Sequence, residues 1–275
     1  MMLAEHEAIW RLGSFALVLL VMAGAEALFP RRPRIRPRRE RWLANLSLVM
    51  LDTAVVRYGM PLLPVAFAAT AASEGWGLLN RLQIQGWLAL AIGLLWLDVV
   101  IYLQHVLFHK LPLLWRLHRV HHTDPDIDVT TGIRFHPVEI LISMVIKLGA
   151  VAVIGPPVAA VILFEILLNA TSLFSHSNLR LPLRFDGLLR LLLVTPDMHR
   201  VHHSVIPRET DSNFGFNLSA WDRLFGTYRP QPAAGHDDME IGLREYRLFE
   251  RMNLGWLLAL PFAAERPKTD GEGKK

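Results

Sequence analysis

A chain of 275 residues, 52% of them hydrophobic, could bury one large core, but its apolar runs are too long for a soluble domain. The complete absence of cysteine excludes disulfides, thiolate-bound zinc and cysteine-ligated iron–sulfur clusters, so any metal must rest on nitrogen or oxygen. The formal charge of +4 is modest and locally concentrated: Arg31, Arg32, Arg34, Arg36, Arg38, Arg39 and Arg41 lie between two apolar spans. That setting favours a juxtamembrane anchor facing the cytoplasm and anionic lipid, so no nucleic-acid partner is expected.

Residues 8–29 read as a first transmembrane helix, interrupted only by Arg11 and Glu26. Ala25-Glu26-Ala27 resembles a signal-peptidase site, but the acidic leading residues Glu5 and Glu7 and the arginines that follow favour a retained helix with its N-terminus outside. Residues 1–42 are therefore expected to form a first helix with its basic segment, and 43–264 a second unit. A span over about 43–70 should bend at Pro61 or Pro64, and another should cover 86–108. Residues 138–154 and 157–176 read as a helical hairpin around Gly155-Pro156-Pro157, with Pro137 in the first turn and His136 at the cap. Segments 110–137 and 178–253 form a polar cap. Within it Leu188–Val194, like 254–264, is apolar but too short to span, and 265–275 reads as a disordered tail.

Histidines dominate the cap. His105 and His109 close the span at 86–108 in the pentapeptide HVLFH; His118, His121 and His122 form HRVHH; an identical HRVHH holds His199, His202 and His203, opened by the helix-start signal Thr195-Pro196-Asp197. Spacings of three and four place each set on one helical face. Eight imidazoles exceed one tetrahedral site and suit two neighbouring metal ions with open positions, iron, zinc, copper and nickel all being compatible. Counting spans from an inside arginine run brings all ten histidines from 105 to 203 to one surface, His136 and His176 included. The expected architecture is all-α: a polytopic membrane helical bundle with a cytoplasmic histidine-rich cap.

Asp98, Lys147 and Glu165 lie mid-span, where charge is costly. Asp98 shares a face with Tyr102, His105 and His109 but lies too deep to be a ligand. It is expected to pair with a polar group on another span. Lys147 and Glu165 flank the hairpin turn at equal depth and are expected to meet. Glu165, Asn169, Ser172 and His176 form one stripe that could line a route for an acyl chain, with Tyr102 as further support. Asp124, Asp126 and Asp128 read as a solvated loop, with acceptors for ring N–H groups as the alternative.

The three histidine boxes, with Asp98-x3-Tyr102-x2-His105, Arg134-x-His136-Pro137, His176-Ser177-Asn178 and NFGFNLSAWDRLFGTY at 213–228, resemble the fatty acid hydroxylase/sterol desaturase superfamily over about half of the chain. The resemblance implies an integral-membrane, non-haem di-iron oxygenase that uses O2 to hydroxylate or desaturate a lipid C–H bond. It implies His105, His109, His118, His121, His122, His199, His202 and His203 as ligands, with His136 and His176 as further candidates; where some relatives carry one more histidine, this chain has Arg180. Electrons are expected from a separate donor, ferredoxin-like or cytochrome b5-like, and the protein is expected in a bacterial inner membrane. Ether-lipid cleavage by the same oxygen insertion is the enzymatic alternative. A haem electron-transfer protein or a metal transporter is the alternative outside oxygenases.

Overall fold

A computed structural model describes residues 6–247 and 252–264. Among the described residues, five helical stretches are long and apolar enough to cross a membrane: 7–28, 38–81, 86–110, 137–154 and 158–176. They comprise α1 (Glu7–Leu28), α2 (Arg38–Gly59) continued by α3 (Pro64–Ser73) and α4 (Leu78–Arg81), α5 (Gly86–Lys110), α7 (Pro137–Ile154) and α8 (Val158–His176), with α6 (Pro112–His122) between α5 and α7. The chain is an integral membrane protein. Its outer face agrees, because Leu12, Leu17 and Leu20 of α1 are exposed, as side chains facing lipid tails would be.

The stretch at 43–70 is a broken span rather than a bent one. α2 starts five residues earlier, at Arg38, and stops at Gly59; α3 restarts with Pro64 in its first turn, where the missing N–H costs nothing. The hairpin lies as expected. His136 caps α7 by accepting a hydrogen bond from the Val138 amide, and Gly155 ends it in the left-handed conformation at φ 63°. A Cβ on Gly155 would also come within 2.3 Å of the Trp76 carbonyl oxygen, so backbone geometry and space both call for glycine.

The apolar core joins α3, α5, α7 and α8 through Val65, Leu97, Ile101, Val151, Val161 and Phe164. At one end of this core α5 stops, α7 starts and α8 stops. α6 and a one-turn 3-10 helix, Val129–Ile133, close that end, with α2 packed on the 3-10 turn and α1 packed on α8. The arginine run reaches the same end. Arg41 is buried and bound to Asp124 (2.7 Å) and Asp128 (2.5 Å), while Asp126 accepts from the amides of Ile35 (2.9 Å) and Arg36 (2.6 Å). The three aspartates are therefore neither a solvated loop nor partners of imidazole N–H groups. They fix the basic segment to the cap, and burial of the pair is tolerated because each charge is met by its opposite.

Candidate metal centre

Nine imidazoles converge at this end in two adjoining groups. His105, His109, His118, His122 and His202 make the first; His121, His176, His199 and His203 make the second. Within each group one ring nitrogen per residue lies within 4.8 Å of all the others. The groups touch, with the His122 and His203 rings stacked at a 4.5 Å centroid separation.

The repeated pentapeptide explains the division. Each HRVHH closes a short helix opened by proline, the first on α6 and the second on α10 (Pro196–His202), after α9 (Leu183–Leu189). Along a helix, residues four apart diverge by about 40° and residues three apart by about 60° the other way. The first and last histidines of a box therefore point together and the middle one points elsewhere. In the first box His118 and His122 serve the five-membered group and His121 the four-membered one; in the second box His199 and His203 serve the four-membered group and His202 the five-membered one. The identical motif is used twice with its roles exchanged. His105 and His109 complete one group and His176 the other.

Hydrogen bonds outside the cluster set the tautomers. Nδ1 of His105 donates to the Phe214 carbonyl (2.8 Å), Nδ1 of His202 to the Ser212 carbonyl (2.7 Å) and Nδ1 of His176 to the Ser172 carbonyl (2.7 Å). Nδ1 of His118 is 2.7 Å from the Glu139 carboxylate. A proton held at Nδ1 leaves Nε2 of a neutral ring as a bare lone pair. Yet His105 Nε2 and His118 Nε2 stand 3.1 Å apart, and His176 Nε2 stands 3.1 Å from His121 Nε2 and 2.9 Å from His199 Nε2. Burial pushes the His118 imidazole down to about 3. Burial first, and neighbouring imidazoles second, hold His121, His122, His199, His202 and His203 well below the ordinary value, so these rings are neutral at pH 7. Nε2 of His109, His202 and His203 and both ring nitrogens of His122 are buried without a partner. Crowded, dry, neutral nitrogens, with the lone pairs of His105 and His118 turned on one another, fit cations between them, and the chemistry of the donor set is that of imidazole-bound iron, zinc or copper.

His136 stands apart from both groups. Its Nε2 meets the Leu258 carbonyl (3.2 Å) and its Nδ1 caps α7. His6 and His236 also lie outside; His236 sits 3.7 Å from Asp197. Asp98 is buried and does find polar partners, but on the cap rather than on another span. It accepts from Asn217 Nδ2 and Trp221 Nε1, each at 2.7 Å, and from the Leu218 amide at 3.3 Å. Tyr102 follows the same pattern, with its hydroxyl 2.9 Å from Thr227 Oγ1 and its ring stacked on Phe225. The segment 213–228 thus docks on α5 and delivers the Phe214 carbonyl to His105.

Lys147 and Glu165 meet at 3.0 Å inside the bundle, and Arg11 of α1 adds a second cation 3.3 Å from Glu165. The stripe beyond them is packed shut. Ser172 donates to the Gly132 carbonyl at 2.9 Å, and a Cβ on Gly132 would lie 2.7 Å from the Ser172 carbonyl oxygen, so the 3-10 turn rests directly on α8. Asn169 is exposed and bonds back to Glu165 of its own helix (2.8 Å). A route along this face is therefore not open. Glu139 escaped the sequence reading because an acid in a first helical turn is ordinarily explained by the helix dipole. The signal available is an acid three residues after His136, at the start of a mostly apolar span.

Together the bundle and the cluster define an integral-membrane protein with a buried polyhistidine centre at one end of its spans. The chain belongs to the fatty acid hydroxylase family, whose sequence profile matches residues 90–227, half of its length. It is similar to ornithine lipid hydroxylase OlsE of Rhizobium tropici, 30% identical over 150 residues that cover 54% of this chain and 44% of that protein. It is also similar to the alkylglycerol monooxygenases of Danio rerio (35% over 141 residues, 51% of this chain and 30% of that one) and Homo sapiens (30% over 135 residues, 49% and 29%). The matched stretch covers less than half of each relative's length. No solved structure matches the chain.

Proposed function

We propose that this protein is an iron-dependent lipid oxygenase in which two iron ions are held by the nine clustered histidines. The reaction is hydroxylation of a lipid C–H bond: RH, O2, two electrons and two protons give ROH and water, with the electrons supplied by a separate ferredoxin-like or cytochrome b5-like donor. The observation that carries this reading is the set of neutral, dry imidazoles whose Nε2 atoms crowd together at 2.9–3.1 Å. Bound iron would supply the activation of O2. The chain does the rest. The Phe214, Ser212 and Ser172 carbonyls and Glu139 hold ring protons at Nδ1 and so aim Nε2 inward. Burial keeps water from the centre.

Hydroxylation is favoured over desaturation because the relatives carry the names of a hydroxylase and of monooxygenases. The second reading, cleavage of an ether lipid after oxygen insertion next to the ether oxygen, draws support from the alkylglycerol monooxygenases. Metal transport draws no support from Lys147, which meets Glu165, or from Asp98, which is held by Asn217 and Trp221. The test is to load purified protein with iron, add a reductant, and offer acyl lipids and alkylglycerols under 18O2. One 18O atom in the alcohol, or in the aldehyde released from an ether, is the expected result. No label in any lipid product of iron-replete, reduced protein, or haem absorbance in the visible region, overturns the reading.

A further inference from the structure

An apolar cleft of about 330 Å3 opens on the surface beside the histidine helix. Leu113, Leu114 and Leu117 of α6 form one wall, Val138 and Ile142 of α7 another, and Phe262, beyond α11 (Leu254–Ala259), the third. It lies where α5 ends and α7 begins, next to the lipid-facing spans, and its rim is largely apolar: Leu113 and Phe262 are more than 70% exposed, and the guanidinium of Arg116, which also lines it, is turned to the Pro261 and Ala263 carbonyls. In a membrane protein the medium bordering such a rim is hydrocarbon, so the occupant at hand is an alkyl chain. The size agrees, since at roughly 30 Å3 per water-sized group the cleft has room for on the order of ten methylenes.

Two walls of the cleft are helices that also carry residues of the metal centre. Leu114 and Leu117 lie one helical turn, about 6 Å, before His118 and His121 on the same faces of α6. Val138 is followed directly by Glu139, which holds the His118 ring at 2.7 Å. The third wall is tied to these same elements rather than left loose. Arg116 donates to the Pro261 carbonyl (2.7 Å), Arg119 to the Leu260 carbonyl (2.6 Å), and His136 meets the Leu258 carbonyl (3.2 Å). This assigns His136 a task away from the cluster, as an anchor for the strap that walls the cleft. That strap lies outside residues 90–227, the part matched to the family.

We propose that the cleft seats one alkyl chain of the lipid substrate, and that Phe262 on its strap, with Ile142 opposite, sets which chains are accepted. The inference rests on the lipid-oxygenase reading for its chemistry, but its binding test needs no turnover. The probe is a single-chain phospholipid with a diazirine on its alkyl chain, photolysed with the iron-loaded protein in detergent. Labelling should fall on peptides holding Leu113–Leu117 and Val138–Ile142 and should be displaced by excess unlabelled lipid. Ile142→Trp fills the cleft and should cut that displaceable labelling at least about tenfold, the scale at which a pocket discriminates by one or two methylenes. Labelling of Glu7–Leu28 and iron content should stay unchanged, which separates a filled cleft from a misfolded variant. Phe262→Ala enlarges the cleft and should shift preference toward bulkier or longer chains. Equal displaceable labelling of wild type and Ile142→Trp, or displaceable labelling centred on 165–176, overturns the proposal. Cleft labelling without any lipid oxidation leaves the cleft standing and removes the oxygenase reading. Oxidation with unchanged chain preference in both variants removes the cleft.

Discussion

Glu139 is placed to govern the proposed metal site through a single imidazole. Its carboxylate accepts from His118 Nδ1 at 2.7 Å in a buried setting, which fixes the ring's orientation and makes Nε2 a stronger donor. Glu139→Ala should lower iron affinity about 10- to 100-fold, the usual cost of losing such a partner. Glu139→Gln keeps an acceptor oxygen and should restore most of it; iron titration of the metal-free protein measures both, and an unchanged affinity in the alanine variant would defeat the assignment. The same rings predict a pH response. His118 falls from 6.5 to about 3, and His121, His122, His199, His202 and His203 are also depressed by burial. As pH falls below about 6.5 the unfolded chain takes up protons that the folded protein refuses, so stability is full above that pH and is lost progressively below it. Thermal melting of metal-free protein should be flat from pH 8 to 7 and fall steeply between pH 6.5 and 4; a level profile across that lower window would contradict the neutral cluster.

At the scale of elements, ion pairs inside the bilayer lock helices together. Glu165 on α8 is held by Lys147 of α7 at 3.0 Å and by Arg11 of α1 at 3.3 Å. The depth match of Lys147 and Glu165 was legible from the hairpin alone, because Gly155-Pro156-Pro157 fixed the turn and each residue stands eight positions from it. The contribution of Arg11 was not, since no local pattern says which helix packs across the hairpin. That third charge changes the outcome of a charge exchange. Lys147→Glu and Glu165→Lys should each reduce folded yield. The double variant should recover only in part, because Lys at 165 then faces Arg11. Adding Arg11→Gln to the pair should complete the recovery. Yield and melting temperature in nanodiscs report the series, and a double variant no better than either single one would show that the pair is not what stabilises the hairpin. Asp98 teaches the same limit: its burial demanded a partner, and helical spacing could not reveal that Asn217 and Trp221 of a distant cap segment supply it.

For the molecule as a whole, the order of spans places ten histidines at one end, and nine of them meet there in the cluster. Periodicity and turn signals carry that much because they are local. The exclusion of His136 is a tertiary fact, decided by the Leu258 carbonyl that takes its ring. Orientation in the membrane follows from charge. Arg31 to Arg41 sit at the histidine end, tied there by Arg41 with Asp124 and Asp128 and by Asp126 with the backbone of residues 35 and 36. Basic residues flanking a span are retained on the cytoplasmic side, so the centre should face the cytoplasm. The opposite end is marked by the turns near Gly75 and Gly155, which connect spans away from the histidines. Because the chain has no cysteine, single cysteines can be read without background. A cysteine at Gly75 should react with an impermeant maleimide on intact cells. One at Arg39, exposed on the arginine segment, should react only after permeabilisation. Asp126, buried against that segment, is a poor reporter. Labelling of Arg39→Cys on intact cells with protection of Gly75→Cys would turn the molecule over and place the histidines on the outer face.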